Sequence, residues 1–363
     1  MASLLVSNSP HIRSEEDIKA IMWTVVMMLV PAGLMGTVVF GWYAALLILV
    51  SIFTAVACEH LVNKIRKLPT TIGDGSAVLA GMLFAYVIPP NTSIFVTVLG
   101  SAATILLGKQ LFGGLGCNIW NPALVGRAFV SAAYASVIFL STWPRIRIDK
   151  TLGGDSGWLS ERFAALQNSL AQIMGNINVD AVSQASPLSI VKGAAKALDA
   201  NATTTVSELV KNNDISYMNL LTGHHVGCIG ETSAGLLILG GLILIAMKIV
   251  DWRIPFFYIG TVALLSWIMP IGNVGWFHGD ALFSVISGGL MIGAFFMATD
   301  FVTSPMTPLG KGIFAVGCGL LTVLIRNFGG FPEGVCYSIL LMNTCVPLID
   351  RFCTPRLFGV VKK

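Results

Sequence analysis

The residues best placed to do chemistry begin with Asn118-Ile119-Trp120-Asn121-Pro122, which follow Phe112-Gly113-Gly114-Leu115-Gly116-Cys117. Glycine lets a backbone approach a ligand closely, and proline suits the first turn of a helix, where its missing N–H costs nothing. Asn118 or Asn121 then caps that helix, and a helix N-terminus flanked by two amide side chains is a cradle for a polar ring system or an anion. Capping and helix packing alone account for the same residues, so both readings stay open. Arg127 lies one turn further on and reads as a cation snorkelling to the cytoplasmic surface.

A second stretch, Asp180-Ala181-Val182-Ser183-Gln184-Ala185-Ser186-Pro187, is by itself an ordinary polar turn. The remaining candidates are carboxylates at the depth or edge of apolar stretches: Asp74, Asp280, Asp300 and Glu333. Acids so placed can mark an ion path. Each also has a simpler use as a helix cap, with Asp280 starting the eighth helix and Glu333 the tenth. His224-His225 has no nearby ligand set and reads as a surface pair. The seven cysteines show no Cys-x-x-Cys spacing and read as small packing residues, so no metal is expected.

The elements that must position these residues follow from composition. The chain has 363 residues, 55% hydrophobic and only 11% charged, with mean hydropathy +0.80. Soluble domains carry about 25% charge, so the fold class is an all-α integral membrane protein. A spanning helix needs ~20 apolar residues. About ten stretches qualify, at 20–40, 42–62, 75–92, 94–112, 122–142, 233–250, 254–271, 281–299, 312–325 and 334–350. Residues 143–232 contain none and are rich in Ser, Asn, Asp and Thr.

Charge gives the orientation. With the N-terminus in the cytoplasm, fourteen of the 22 Lys and Arg fall on the cytoplasmic side, Arg326 alone falls in a short outer loop, and seven lie in 143–232. That asymmetry is the positive-inside pattern, and it accounts for the net charge of +4 without a nucleic-acid partner. Both termini are then cytoplasmic and 143–232 lies outside. The organisation is an N-terminal arm (1–19), a first set of five helices (20–142), the outer segment (143–232), a second set of five (233–350) and a C-terminal tail (351–363).

The two sets echo one another. Phe112-Gly113-Gly114 returns as Phe328-Gly329-Gly330, and Gly81-Met82-Leu83-Phe84 resembles Gly293-Ala294-Phe295-Phe296. Five crossings per set make this an inverted repeat. In such folds short or Gly/Pro-interrupted helices surround the functional site near the midplane. Helices three (Pro89-Pro90), five (Asn121-Pro122) and nine, at 14 residues, fit that description.

Four motifs in order now carry a resemblance: Gly113–Ala123, Gly227-Cys228-Ile229-Gly230-Glu231-Thr232-Ser233, Phe296-Met297-Ala298-Thr299-Asp300 with Thr303-Ser304-Pro305, and Arg326–Gly334. Together they resemble the NqrB/RnfD family. Its members are membrane subunits of the sodium-pumping NADH:quinone oxidoreductase and of the Rnf ferredoxin:NAD complex. The short N-terminal arm is closer to the RnfD branch. The resemblance implies a covalent FMN, joined as a phosphoester to a hydroxyl in a motif Asp-x-x-Ser/Thr-Gly-Ala-Thr by a flavin transferase on the outer side. The matching residues are Asp180, Ser183, Ala185 and Ser186, with Gln184 in place of Gly and Ser186 as the acceptor in place of Thr. The family further implies a second, non-covalent flavin, riboflavin or another, for which Asn118, Asn121 and Arg127 are the best match. Asp300 and Glu333 are the candidates for the ion path.

The resulting expectation is a subunit of an Rnf-type complex in the cytoplasmic (inner) membrane of a prokaryote. It carries flavin and passes electrons between ferredoxin/NAD-side and outer-side redox subunits, coupled to Na⁺ or H⁺ movement. It has no complete activity alone, and its partners are the other Rnf subunits, a flavin transferase and membrane lipid. The rival readings are a secondary transporter or channel, and a structural subunit with Ser186 unmodified.

Overall fold

Short polar side chains start most of the helices. Ser93 accepts the Val96 N–H, Asn121 those of Ala123 and Leu124, Ser233 that of Leu236, and Thr307 that of Gly310. Each satisfies a donor that the first helical turn leaves unpaired. The computed structural model describes residues 17–69, 71–134, 186–197, 205–213, 215–223, 225, 227–330 and 333–354.

The first repeat comprises α1 (Ile18–Phe40), α2 (Trp42–Ile65), α3 (Ser76–Tyr86), α4 (Ile94–Leu106) and α5 (Pro122–Ala133). Three short helices of segment 143–232 follow among the described residues: α6 (Pro187–Ala197), α7 (Val206–Asn212) and α8 (Tyr217–Thr222). The second repeat comprises α9 (Ala234–Ala246), α10 (Arg253–Ile268), the pair α11 (Ala281–Ile286) and α12 (Leu290–Ile292), then α13 (Pro308–Phe328) and α14 (Val335–Phe352). No strand occurs among the described residues beyond one isolated bridge, Ile271 to Val274. The stretches ending in Phe40, Ile65, Phe112, Phe328 and Phe352 are each long and apolar enough to cross a membrane, and the other spans are shorter apolar helices or interrupted ones.

The repeat read from sequence reappears in the packing. In the first half α2 packs on α4 and α4 on α5; in the second, the equivalent α10 packs on α13 and α13 on α14. Equivalent helices also meet across the seam, α1 on α9 and α5 on α14. Close approach within the first half depends on missing side chains. A Cβ on Gly126 would lie 1.9 Å from Thr104 Oγ1, and one on Gly100 would lie 2.2 Å from the Phe84 ring.

Two expectations about interrupted helices are corrected. Helix nine is a continuous 21-residue helix rather than a 14-residue one. The charges expected to bound it lie inside it: Lys311 one turn past the Thr307 cap, and Arg326 in the last turn. The broken span is instead the eighth, expected as one run over 281–299. It stops at Ile286, turns through Gly288 at φ +72°, and resumes as α12 running into a π-helical turn at Gly293–Met297. A break frees backbone carbonyls that water cannot reach in a membrane. Arg326 takes them, donating Nη1 to Ser284 O (2.6 Å) and Nη2 to Ser287 O (3.2 Å). Helices three and five are short as expected. The expected end of helix five at 142 lies outside the described residues.

The described part of segment 143–232 is tied to one end of the second repeat. Ala195 O accepts the Asn273 N–H (3.0 Å), Lys192 Nζ donates to Gly329 O (2.7 Å), and Tyr217 donates to Asp280. At Asp251 and Asp350 the second repeat carries its other set of ties. Asp251 binds Arg253 and Lys311, and Asp350 accepts the Met306 N–H (3.2 Å).

Candidate functional site

Asn121 caps α5 and does a second task. Its Oδ1 accepts the Ala123 and Leu124 N–H groups at 3.0 and 3.4 Å, while its Nδ2 donates to Met297 O at 3.1 Å. One side chain thus joins the start of α5 to the π-helical turn of the other repeat. Asn118, 6% exposed, donates to Trp120 O (3.2 Å) and reaches the Asp300 side chain. Asp300 also accepts from Thr303 Oγ1 at 3.2 Å. The structure therefore brings Asp300, which the sequence offers for an ion path, to Asn118 and Asn121, which it offers for a flavin.

These three residues stand at one half-open cleft. Its walls are mostly apolar, including Leu79, Leu83, Leu244 and Phe295, with Ser76, Lys109 and the two asparagines as polar points. An apolar cleft with a few convergent polar groups is the usual form of a cofactor site. Lys109 is held beside it by a buried network: Nζ lies 2.8 Å from both Glu59 carboxylate oxygens and 2.6 Å from Ser76 Oγ. Thr71 Oγ1 donates to Glu59 Oε1 at 2.6 Å, so the buried carboxylate is also hydrogen-bonded. Gly75 holds the cap position of α3, and Asp74, one residue ahead of it, accepts the Ser76 N–H at 2.8 Å.

Arg127 is not at this cavity and does not snorkel. It is 6% exposed on α5 and donates Nη2 to Glu333, just ahead of α14. The expectation that Glu333 caps the tenth helix is corrected likewise: Gly334 holds the cap position, with no side-chain bond to the helix. Both corrections have one cause. The first turns of α5 and α14 meet, as the Cys336 Sγ contact with Leu124 O at 3.5 Å also shows. A guanidinium at that depth needs a carboxylate more than the helix needs a cap. Asp280 caps α11 as expected, accepting the Phe283 N–H at 2.9 Å.

Ser186 is the one member of the flavinylation-like motif within the described residues; Asp180, Ser183, Gln184 and Ala185 lie outside them. Ser186 stands immediately before Pro187, the first residue of α6. Its Oγ accepts the Ser189 N–H (3.4 Å) and donates to Ser189 Oγ (3.1 Å). All seven cysteines are free thiols.

The sequence alone gives no partner for Lys109, Glu59 or Arg326. The signal it offers is a lone charge at the end of an apolar run, which also fits a loop residue. Glu231 stands in the sequence only as one letter of a motif, yet it is 4% exposed beside Glu333.

Comparison with known proteins gives the family. The model of the NQR2, RnfD, RnfE family matches residues 5–359. This chain belongs to that family. A relative from Clostridium ljungdahlii is named as the D subunit of a proton-translocating ferredoxin:NAD(+) oxidoreductase complex, and is 42% identical over 98% of this chain and 96% of its own length. One from Acetobacterium woodii, named as the D subunit of a Na(+)-translocating ferredoxin:NAD(+) oxidoreductase complex, is 39% identical over 99% and 96%. One from Stutzerimonas stutzeri, named as the D subunit of an ion-translocating oxidoreductase complex, is 38% identical over 96% and 93%. Family members of nearly equal similarity thus carry names with different ions.

Proposed function

We propose that this chain is the flavin-carrying D-type membrane subunit of an Rnf-type ion-translocating ferredoxin:NAD oxidoreductase complex. It takes part in electron transfer between the ferredoxin/NAD side and outer-side redox subunits, coupled to Na⁺ or H⁺ movement. The other Rnf subunits are its partners, and it performs no complete reaction alone. It lies in the inner membrane of a prokaryote, with both termini in the cytoplasm and 143–232 outside. End-to-end identity with relatives named as D subunits supports this reading.

The observation that carries the flavin assignment is the setting of Ser186. Its hydroxyl stands at the N-terminus of the 11-residue α6. A phosphate esterified there, by a flavin transferase, meets a helical turn whose N–H groups have no intrahelical partner and the positive end of the helix dipole. Lys192 on the same helix anchors it to Gly329 of the second repeat. The residues present therefore fit a phosphoester-linked FMN.

The cavity at Asn118 and Asn121 suits a second, non-covalent flavin such as riboflavin. Phe295 and Leu83 offer apolar faces, and Asn118 with Asp300 offers amide and carboxylate partners at one end. When bound, a flavin accepts and releases one or two electrons, while the protein sets its position and potential. The chain's own residues hold and orient it and keep water from its faces. Arg127, paired with Glu333, is not assigned to this flavin.

The test is mass spectrometry of the subunit co-expressed with its flavin transferase. The tryptic fragment from Phe163 to Lys192 contains Ser186 and no other cleavage site. An FMN ester on this fragment, localised to Ser186, supports the reading, and an unmodified fragment in an active complex overturns it.

A further inference from the structure

Glu231 is buried beside the Arg127–Glu333 pair and has a use that the flavin reading does not give it. It closes a single turn, Ile229–Glu231, just before α9, and is 4% exposed. Its Oε2 accepts the Cys228 N–H at 3.3 Å. Its Oε1 is fully enclosed and receives no N–H or O–H, 3.0 Å from where a Cβ on Gly289 would sit, and its carboxyl group stands within hydrogen-bond reach of Glu333. One ligand atom each from Cys228, Glu231 and Glu333 lies within 4.8 Å of the others.

A buried carboxylate oxygen that receives no donor, beside a second carboxylate, is costly unless a proton or a cation stands between them. The three side chains have metal-ligand chemistry, but their surroundings oppose a divalent ion. Arg127 already binds Glu333, and Arg326 Nη2 lies against Gly288, close to the Glu333 side chain. The Cys228 thiol donates to Val87 O at 3.3 Å and so keeps its proton. Two guanidinium groups and a protonated thiol leave little room for a doubly charged cation. A proton fits, because it needs one oxygen, and adjacent carboxylates share protons readily.

We propose that Glu231 and Glu333 form a buried proton-holding pair, in which Arg127 binds Glu333 and Glu231 carries the exchangeable proton. The other groups facing it are Arg127 from α5, Arg326 from α13 and Cys336 from α14. Tyr86 on α3 packs on Gly230, but its hydroxyl donates to Leu29 O at 2.8 Å. His225 faces the pair from the outer segment: a Cβ on Gly227 would lie 3.1 Å from Glu231 Oε2 and 3.6 Å from His225 Nε2. The pair lies where three elements meet: the turn before α9, the entry to α14, and the break at Gly288-Gly289. Gain or loss of the Glu231 proton changes how strongly Arg127 is drawn to each carboxylate at that break.

This site does not depend on a flavin at Ser186, and its test uses neither electron transfer nor flavin. Infrared difference spectra of the assembled complex are recorded between two buffers of different pH, in H₂O and D₂O. Wild type is expected to show a protonated-carboxyl C=O band that shifts in D₂O and is absent from Glu231→Gln. If Glu231→Gln fails to assemble, Glu231→Asp keeps the acid and should shift the band. A band unchanged in either variant overturns the proposal. So does a stoichiometric metal that is retained by wild type and lost in Cys228→Ser.

Discussion

Arg127 in the first repeat donates to Glu333 in the second, 206 residues away, and both side chains are nearly enclosed. The pair fixes the seam where the equivalent helices α5 and α14 meet. Removing one partner of a buried pair leaves an uncompensated charge, at a cost of about 3–5 kcal/mol, whereas replacing both by apolar residues is often neutral. Arg127→Met should therefore lower the unfolding midpoint and assembled yield sharply. Adding Glu333→Leu should restore most of both. Additive losses in a double-mutant cycle would show that the pair does not couple the repeats.

Helices α4 and α5 approach through Gly126, where a methyl group would stand 1.9 Å from Thr104 Oγ1 and 2.8 Å from Gly100 O. Overpacking of this kind costs about 1–3 kcal/mol. Gly126→Ala should destabilise the purified subunit by that amount in thermal unfolding. Adding Thr104→Ala should recover part of the loss, because the hydroxyl is removed and the backbone oxygen remains.

Asp251 makes stability depend on pH in the connection between α9 and α10. Burial pushes its carboxyl up, but the Lys311 ammonium and the Arg253 backbone N–H and guanidinium outweigh that and hold it below the ordinary carboxylate value. A depressed folded-state value contributes stability above the unfolded value of about 3.9 and loses it as pH falls through the folded one. The side chain is one-fifth exposed, so the effect is about 0.2–1 kcal/mol. Thermal scans from neutral pH downward should show Asp251→Asn less stable than wild type at neutrality and converging with it in strong acid. A constant difference at all pH values would contradict this.

Asn121→Ala removes the α5 cap and the bond to Met297 O together. Cap loss costs about 0.5–2 kcal/mol. The proposed non-covalent flavin should then be released more readily while any covalent flavin is kept. Acid precipitation separates the two pools, and an unchanged supernatant flavin content would remove Asn121 from that site.

Much of this is legible in the sequence, for reasons that differ by residue. Apolar runs give ten spans because a membrane imposes their length. The Asn121-Pro122 and Asp280 caps are readable because a cap is a local bond between residues two or three apart. The Arg127–Glu333 pair is not, since each residue alone fits a surface or capping role and nothing local links positions so far apart. The break in the eighth helix is hidden by its apolar composition. Gly288 and Gly289 are visible, but the Arg326 guanidinium that satisfies the freed carbonyls comes from another helix. Lys109 reads as a cytoplasmic-side cation near the end of its span because its partner Glu59 lies 50 residues earlier.

The central claim is that the hydroxyl of Ser186 holds a flavin, and fluorescence of the denatured subunit in a gel tests it most directly. The subunit is co-expressed with its flavin transferase as wild type, Ser186→Ala and Ser186→Thr. The account predicts a fluorescent band for wild type and Ser186→Thr, and none for Ser186→Ala. A dark wild type, or fluorescence that persists in Ser186→Ala, would contradict it.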